Sequence, residues 1–363
     1  MATINPIIAQ DVESIIRDTD LRQKLGGNTL LVTGSGGFLC SYFVDVVAEL
    51  NRINPDQPCR VIAVDNSAGR FFERFPYLQG RTDIRFIEQD VTLPLDLDEK
   101  VDWIIHGASI ASPTFYRRFP LETIDVNVIG TRHMLDIARN QNARGILFLS
   151  TSEIYGDPAP SFIPTPEDYR GYVSCTGPRA CYDESKRLGE TLCVTYHQLY
   201  DLPVKVVRPF NVYGPGQRLD DARIIPDLMK SGVPRDPVVL YSDGRASRAF
   251  CYISDAVSAV FEVLLSDAAG EAFNVGNDAA EVSISQLADT FREVAGPPWL
   301  EIDYRESRDA NYLTDNPQRR CPDLTRLRSR FGWSPKVSLR EGLTRTLHSY
   351  LDAKPAIGRT ECA

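Results

Sequence analysis

Tyr182 and Lys186 stand four residues apart in Arg179-Ala180-Cys181-Tyr182-Asp183-Glu184-Ser185-Lys186. On a helix, that spacing puts both side chains on one face. Tyrosine is a poor base at its usual pKa of about 10. A neighbouring ammonium, or the positive charge of an oxidised nicotinamide, favours the phenolate. The pair therefore reads as a tyrosine base with its lysine. Tyr-x-x-x-Lys alone is common on helix surfaces. Its weight here comes from Thr151-Ser152-Glu153-Ile154-Tyr155-Gly156, about thirty residues upstream at the end of an apolar run. Thr151 at a strand end can hydrogen-bond the same substrate hydroxyl as Tyr182.

A second chemical segment, Thr33-Gly34-Ser35-Gly36-Gly37-Phe38, follows a β-branched run and precedes a helical one. Glycines there allow a tight turn and close approach of the backbone to a pyrophosphate, and the helix N-terminus offers N–H donors. Asp65 ends the next strand, 28 residues after Gly37. A carboxylate at that point hydrogen-bonds ribose hydroxyls and repels a 2′-phosphate, which favours NAD over NADP despite the nearby Arg70. Asp90, after the third strand, is placed to meet the adenine amino group, with turn capping as the competing role. Position 40, where the third glycine of this fingerprint belongs, is Cys40. It reads as a small buried thiol that widens the helix–strand approach.

Regular alternation of elements must position these segments. Strands are expected at Thr29–Thr33, Arg60–Asp65, Ile84–Gln89, Val101–His106, Gly145–Ser150 and Val204–Val207. Helices are expected at Ser41–Leu50, Ile124–Arg139 and Tyr182–Leu199. The pattern predicts an α/β fold with a doubly wound, Rossmann-type parallel sheet. Residues 1–27 read as an N-terminal extension with an amphipathic helix over 5–25, and 28–207 as the dinucleotide-binding domain. Residues 208–352 read as a smaller substrate-binding lobe partly interleaved with it, and 353–363 as a flexible tail. Prolines 209, 215, 226, 234, 237, 297 and 298 break that lobe into short elements before helices at Ile284–Val294 and Leu339–Leu351. The Pro- and Gly-rich stretch 157–177 reads as a loop over the active site.

Composition narrows the partners. A chain of 363 residues that is 43% apolar can bury a large core, and a net charge of −9 argues against nucleic acid as the main partner. The 8 cysteines form no Cys-x-x-Cys pair, and with 4 histidines there is no metal-ligand spacing. Asp11, Glu13, Arg17 and Asp18 are incompatible with a signal-peptide core. No apolar run approaches the roughly 20 residues of a membrane span. The expectation is a soluble, cytoplasmic protein without metal or membrane partner.

With these residues in view, the chain resembles the extended short-chain dehydrogenase/reductase family from about Thr29 to about Leu343. Within it the chain is most similar to the UDP-glucuronate decarboxylases. The resemblance rests on His106-Gly107-Ala108-Ser109-Ile110-Ala111-Ser112-Pro113, on Ser150 to Pro158, and on Gly177-Pro178-Arg179-Ala180-Cys181-Tyr182-Asp183-Glu184. Phe210-Asn211-Val212-Tyr213-Gly214-Pro215 and Ser247-Arg248-Ala249-Phe250-Cys251-Tyr252 add to it but are shared more widely.

The resemblance implies roles residue by residue. NAD would lie against Gly34, Gly36, Gly37, Phe38, Leu39, Asp65, Asn66, Asp90, Val91, Ala108 and Ser109. Tyr182 would take the proton from sugar O4 with help from Thr151, while Lys186 holds the ribose and lowers the Tyr182 pKa. Glu153 would manage protons near C5 after carbon dioxide leaves the 4-keto uronate. Arg248 would hold the sugar's negative groups. Asn211, Arg223 and Arg218 would bind the diphosphate, and Ser112, Tyr116 and Tyr241 would complete the substrate site. Ser152 stands where 4,6-dehydratases carry an acidic Asp, and Glu153 where simple 4-epimerases lack a carboxylate. The alternatives are those two activities on the same fold, or a non-catalytic NAD-sensing regulator, which the intact Tyr182–Lys186 pair disfavours. Phe115, Arg118, Cys175 and Thr176 depart from the decarboxylase pattern at positions expected to line or border the sugar site. A homodimer is implied through the helices at Ile124–Arg139 and Tyr182–Leu199. Leu188, Val194 and Leu199 would serve equally as intrachain core.

Overall fold

A computed structural model describes residues 3–221, 223–232, 237–296, 301–305 and 314–352. Pro234, Pro297, Pro298, the 353–363 tail and the Arg70 side chain lie outside the described residues.

The central sheet is built from β1 (Thr29–Thr33), β2 (Arg60–Asp65), β3 (Ile84–Glu88), β4 (Trp103–His106), β5 (Gly145–Leu149), β6 (Val204–Pro209) and β7 (Ala272–Val275). All neighbours run parallel, in the spatial order β7-β6-β5-β4-β1-β2-β3. The six expected strands are present within two residues of their predicted ends. The seventh, β7, comes from the region assigned to the substrate lobe, so the interleaving is literal: Ala272–Val275 pairs with Val206–Pro209. The chain reverses direction across the sheet between β1 and β4. At such a switch point the carboxyl ends of the strands leave a crevice for a ligand.

Successive residues of a strand face opposite layers. Leu30 and Val32 of β1 join one core with helices α2 (Phe38–Ile53) and α5 (Ile253–Leu264), where Phe43 and Phe261 meet edge to face at 5.2 Å. Leu31 joins the opposite core with α3 (Thr131–Asn140) and α4 (Ala180–Tyr200). Burial on both faces explains the continuous apolar runs seen in the sequence.

Three expectations are corrected. The N-terminal extension is two helices, with α1 (Pro6–Asp18) ending before a short one at Leu21–Leu25. Asn5 caps α1 by accepting from Ile7 N at 3.0 Å, and buried Asp11 accepts hydrogen bonds from Tyr42 and Tyr252, tying the extension to both halves of the fold. The helix expected at Ile124–Arg139 is interrupted by a π-turn at Val126–Gly130, between Pro120–Asp125 and α3. The irregular turn places Asn127 inward, where it accepts from Ser109 Oγ at 2.8 Å and donates to Ser185 Oγ at 2.9 Å. The stretch 157–177 does not cover the site, since none of its residues lines the cavity. It braces the two halves of the chain instead: Thr165 N donates to Cys321 O at 2.9 Å, and Thr165 O accepts from Asp323 N at 3.0 Å.

The substituted glycine has a structural counterpart. Cys40 is buried, and a Cβ built at Gly107 would meet its Sγ at 2.3 Å and Leu149 Cδ1 at 2.8 Å. The bulk added to the helix is thus accommodated by a missing side chain at the end of β4. Burial pushes the Cys40 thiol up to about 12, so it is an unreactive packing group. Gly107→Ala should therefore lower stability by about 1–3 kcal/mol through overpacking, as read by chemical denaturation. Adding Cys40→Ala should recover part of that loss. Additive losses would contradict the pairing.

Candidate active site

A cavity of about 1110 Å³ opens at the carboxyl ends of the parallel strands. It exceeds the range of roughly 300–1,000 Å³ usual for single-ligand pockets, which leaves room for a dinucleotide and a second ligand. Every residue assigned from the sequence to cofactor, chemistry or substrate lines it.

At one end the turn after β1 carries Gly34 at φ +69°, where a Cβ would lie 2.8 Å from Ala108 Cα. Gly36 N donates to Asp65 Oδ2 at 3.0 Å, so the acid at the end of β2 fastens the glycine turn. Gly37 caps α2, and Phe38 and Leu39 begin it, so the helix N-terminus faces the cavity beside Asn66, Val91, Ala108 and Ser109. A turn held open by glycines before a helix N-terminus, with a carboxylate beside it, fits the pyrophosphate and ribose of NAD. Asp90 accepts from Thr92 N at 2.9 Å and from Thr92 Oγ1 at 2.8 Å while still lining the cavity, so the turn-capping role is real.

At the centre, Tyr182 and Lys186 project from α4. Lys186 is buried, donates to Leu149 O at 2.8 Å, and lies 4.8 Å from the centroid of the Phe148 ring. Burial lowers its pKa to about 8. Burial also pushes the Tyr182 phenol up to about 12, opposed by the charge of Arg223 and a hydrogen bond from Thr151. Arg223 is the cation that offsets burial most at Tyr182, while the Lys186 ammonium donates to a carbonyl. Tyr116 stacks on Tyr182 with centroids 5.1 Å apart and planes within 9°, holding the phenol in one plane. Beneath the Thr151–Tyr155 turn, Glu190 accepts from Ser150 Oγ at 2.5 Å and pairs with Arg208 at 2.6 Å, and Arg208 reaches Tyr155 Oη at 2.8 Å. That buried network fixes the strand end from which Thr151, Ser152 and Glu153 project.

At the far end stands a charge cluster that the sequence only half revealed. Glu153 is gripped by Arg179 and by both terminal nitrogens of Arg320, one of them at 2.7 Å. Burial would raise its pKa, but Arg179, Arg320 and Arg248 together hold it down at about 2. Held ionised, Glu153 can take part in proton management near C5 only as an acceptor. Arg248 is buried and donates to Ser247 O at 2.7 Å and Asn316 Oδ1 at 2.8 Å. Burial and Arg320 lower its pKa to about 9. Burial and Glu153 raise the neighbouring Asp183 to about 8.

The remaining predicted residues divide by environment. Ser112 Oγ donates to Asp221 O at 3.0 Å, and Asn211, at φ +38°, donates to Ala249 O at 3.2 Å. Arg223 donates to Ala111 O at 2.7 Å, whereas Arg218 is exposed at the rim and paired with Asp220 at 2.7 Å. Tyr241 is half-exposed on the cavity wall. Of the four departures from the family pattern, only Phe115 lines the cavity. Arg118 covers the Phe119 ring, and Cys175 and Thr176 are exposed away from it. Arg179 could have been found one helical turn before Tyr182. Arg320 carries no spacing signal, because only the pairing of Arg319–Arg320 with Ser247–Ala249 brings it in. Among the described residues no group of His, Cys, Asp or Glu could hold a metal ion.

Comparison with known proteins agrees with this geometry. The model of the NAD dependent epimerase/dehydratase family matches residues 30–276. UDP-glucuronic acid decarboxylase 5 of Arabidopsis thaliana is 38% identical over 314 residues, which is 86% of this chain and 86% of that protein. UDP-glucuronic acid decarboxylase 1 of Xenopus tropicalis is 35% identical, over 88% of this chain and 72% of its own length. Among solved structures, the UDP-glucose 4-epimerase of Thermotoga maritima, determined with UDP-glucose, superposes with a TM-score of 0.76 at 26% identity, covering 89% of this chain and 99% of that one. The UDP-glucuronic acid 4-epimerase of Bacillus cereus, in complex with UDP-glucuronic acid and NAD, shares the fold at a TM-score of 0.73 and 23% identity, covering 90% and 100% of the two chains. With its glycine turn, its Tyr182–Lys186 pair and this likeness over most of its length, the chain belongs to the NAD dependent epimerase/dehydratase family.

Proposed function

We propose that the protein decarboxylates a UDP-uronic acid, converting UDP-glucuronate to UDP-xylose through a transient 4-keto sugar. The observation that carries this reading is the excess of buried guanidinium around Glu153, two residues from Thr151, in a chain whose relatives are UDP-glucuronic acid decarboxylases. A uronate brings the carboxylate that such a cluster attracts.

The chain's residues then act in order. Lys186 and Asp65 hold the cofactor's sugars. Asn211 and Arg223 take the diphosphate, with Arg218 at the rim. Tyr182, whose phenolate the positive charge of bound oxidised nicotinamide would favour against the effect of burial, accepts the proton from sugar O4 while Thr151 steadies that oxygen. NAD, when bound, would supply a reversible hydride acceptor at C4. Oxidation at C4 makes the uronate a β-keto acid, whose C5–C6 bond breaks to release carbon dioxide and leave the electron pair on C5 and O4. Glu153, an acceptor only, orients a water that relays a proton from solvent to C5, so no hydroxide is left in the site. Tyr182 finally returns its proton to O4. Ser152 lacks the acidity to expel a C6 hydroxyl, so a 6-deoxy product is not expected.

We propose further that the protein is a cytoplasmic homodimer. Leu121, Ile124, Ile129, Leu188, Val194 and Leu199 are exposed on neighbouring helices of one chain. Leu188, Val194 and Leu199 are therefore not intrachain core, and exposed apolar side chains on two packed helices suit a helix-bundle interface. Among the described residues seven cysteines are free thiols, five of them buried, which suits a reducing compartment.

Incubation of the NAD-loaded protein with UDP-glucuronate should release carbon dioxide and yield a pentose nucleotide by mass spectrometry. Tyr182→Phe should slow turnover by about 10²–10⁴-fold. Unchanged uronate at high enzyme concentration would refute the reaction, and full activity of the variant would refute the base. Sedimentation of the wild-type protein should give a dimer, which Leu188→Glu with Val194→Glu should convert to folded monomer. A wild-type monomer would overturn the assembly.

A further inference from the structure

The N-terminal helix reaches the substrate end of the cavity through one shared hydrogen. Tyr42, on α2, is buried, and its Oη lies 3.4 Å from Asp11 Oδ2 and 3.2 Å from Pro215 O. A phenol has a single hydrogen to donate. While Asp11 is ionised both neighbours are acceptors, so the hydrogen cannot serve both at full strength. Pro215 belongs to the turn Gly214–Arg218, between Asn211 and Arg223, and Gly216, Gln217 and Arg218 of that turn line the cavity. The turn rests against α1 as well: a Cβ built at Gly216 would lie 3.9 Å from Ile8 Cδ1 and 3.6 Å from Arg74 Nε.

Asp11 itself is fully buried, at 0% exposure. Tyr252 Oη donates to its Oδ2 at 2.8 Å, and Arg345 Nη1 donates to its Oδ1 at 3.2 Å. Burial outweighs these donors and raises its pKa to about 6. The other charged and titratable groups facing the cluster come from every element around it. Arg345 also pairs with Glu341, Asp45 holds Arg74 and Tyr77, and Asp18 of α1 pairs with Lys336. Asp255 on α5, which burial also raises to about 6, accepts from the N–H groups of Val337 and Lys336 at 2.9 and 3.1 Å.

Protonation turns Asp11 into a donor. Its O–H can point to Tyr42 Oη, which has lone pairs to accept it, and the phenol hydrogen is then free for Pro215 O. Tyr252 and Arg345 keep their acceptors, so every group is satisfied in one direction. Ionised Asp11 instead draws the phenol hydrogen to itself, because a charged acceptor makes the stronger bond. Pro215 O is then held more weakly.

We propose that Tyr42 is a positioning residue for the nucleotide sugar: its hydrogen fixes the Gly214–Arg218 turn when Asp11 of the N-terminal helix is protonated and releases that turn when Asp11 is ionised. The proposal rests on the diphosphate part of the reading above, which places Asn211, Arg223 and Arg218 at this end, and not on the uronate part. Affinity then rises as pH falls through the Asp11 pKa, and by linkage the bound nucleotide sugar raises that pKa.

Calorimetry on the NAD-loaded Tyr182→Phe protein, in which turnover is slowed, gives affinities for UDP-glucose and UDP-glucuronate at about pH 5 and about pH 7.5, either side of the Asp11 pKa. The diphosphate of these ligands does not titrate in that interval. Binding should be about 3- to 10-fold tighter at the lower pH, the range of one hydrogen bond. Adding Tyr42→Phe should remove that gain at the lower pH and leave the upper value within about 2-fold, because there the hydrogen already belongs to Asp11. Adding Asp11→Asn, whose amide donates to Tyr42 at every pH, should keep the tight value at both. Near the Asp11 pKa the parent protein should take up protons on binding, read from titrations in buffers of different ionisation heat, and both variants should not. Should Asp11→Asn fail to fold by circular dichroism, Tyr42→Phe carries the test. Equal losses at both pH values in Tyr42→Phe would reduce Tyr42 to packing and overturn the proposal. A pH dependence that survives both substitutions would place the titrating group elsewhere, at Asp255 for example, and would overturn it too. If UDP-glucose shows the dependence and UDP-glucuronate does not bind, the uronate reading falls and this inference stands. If UDP-glucuronate is decarboxylated and neither ligand shows the dependence, only this inference falls.

Discussion

The carboxylate of Glu153 is the point on which the two halves of the molecule close. Arg179 reaches it from α4, Arg320 reaches it from the C-terminal strand Arg319–Arg320, and Arg248 adds its field from the adjacent strand. A buried guanidinium without a counter-charge is costly, and breaking such a pair costs roughly 3–5 kcal/mol. Segments far apart in the sequence are thus held in register by the same ions that line the sugar end of the cavity. The substrate lobe is not docked beside the active site. It is fastened through it, and the seventh strand of the main sheet, Ala272–Val275, is drawn from that same part of the chain.

This arrangement divides the work. Tyr182, Thr151 and Lys186 sit on α4 and at the end of β5, rigid elements bedded on the Ser150–Glu190–Arg208 network. In the proposed reaction they handle the O4 proton while NAD would accept the C4 hydride. The outcome depends on what surrounds the ketone. Ser152 offers no strong acid, and Glu153 is fixed as an anion among cations. A 4-keto uronate there meets groups that stabilise charge, and it carries a carboxylate at C6 with no hydroxyl to expel, so loss of carbon dioxide is the chemically open path.

The sequence shows much of this because local signals and chemistry coincide in it. β-branched runs bounded by turn residues locate six strands, and the glycine turn and the Tyr182–Lys186 spacing are contiguous motifs. Three things were not legible, each for a physical reason. The π-turn at Val126–Gly130 breaks a helix whose composition looks continuous, because Asn127 is recruited inward by Ser109 and Ser185. The stretch 157–177 looks like a lid from its prolines and glycines, yet its backbone pairs with residues 321–323, a contact made only in the folded chain. Arg320 has no local pattern, and its place in the site follows from a two-residue strand. Its role, like the pKa values of Glu153 and Lys186, is set by burial and by neighbours distant in sequence.

The most direct test is to run the reaction on UDP-glucuronate in heavy water and locate deuterium in the product by NMR. The account predicts a pentose nucleotide with one deuterium at C5 and the original hydrogen retained at C4, because C5 is protonated from solvent while the hydride is returned from the cofactor. A product that keeps all its sugar carbons, or a pentose without deuterium at C5, would contradict it.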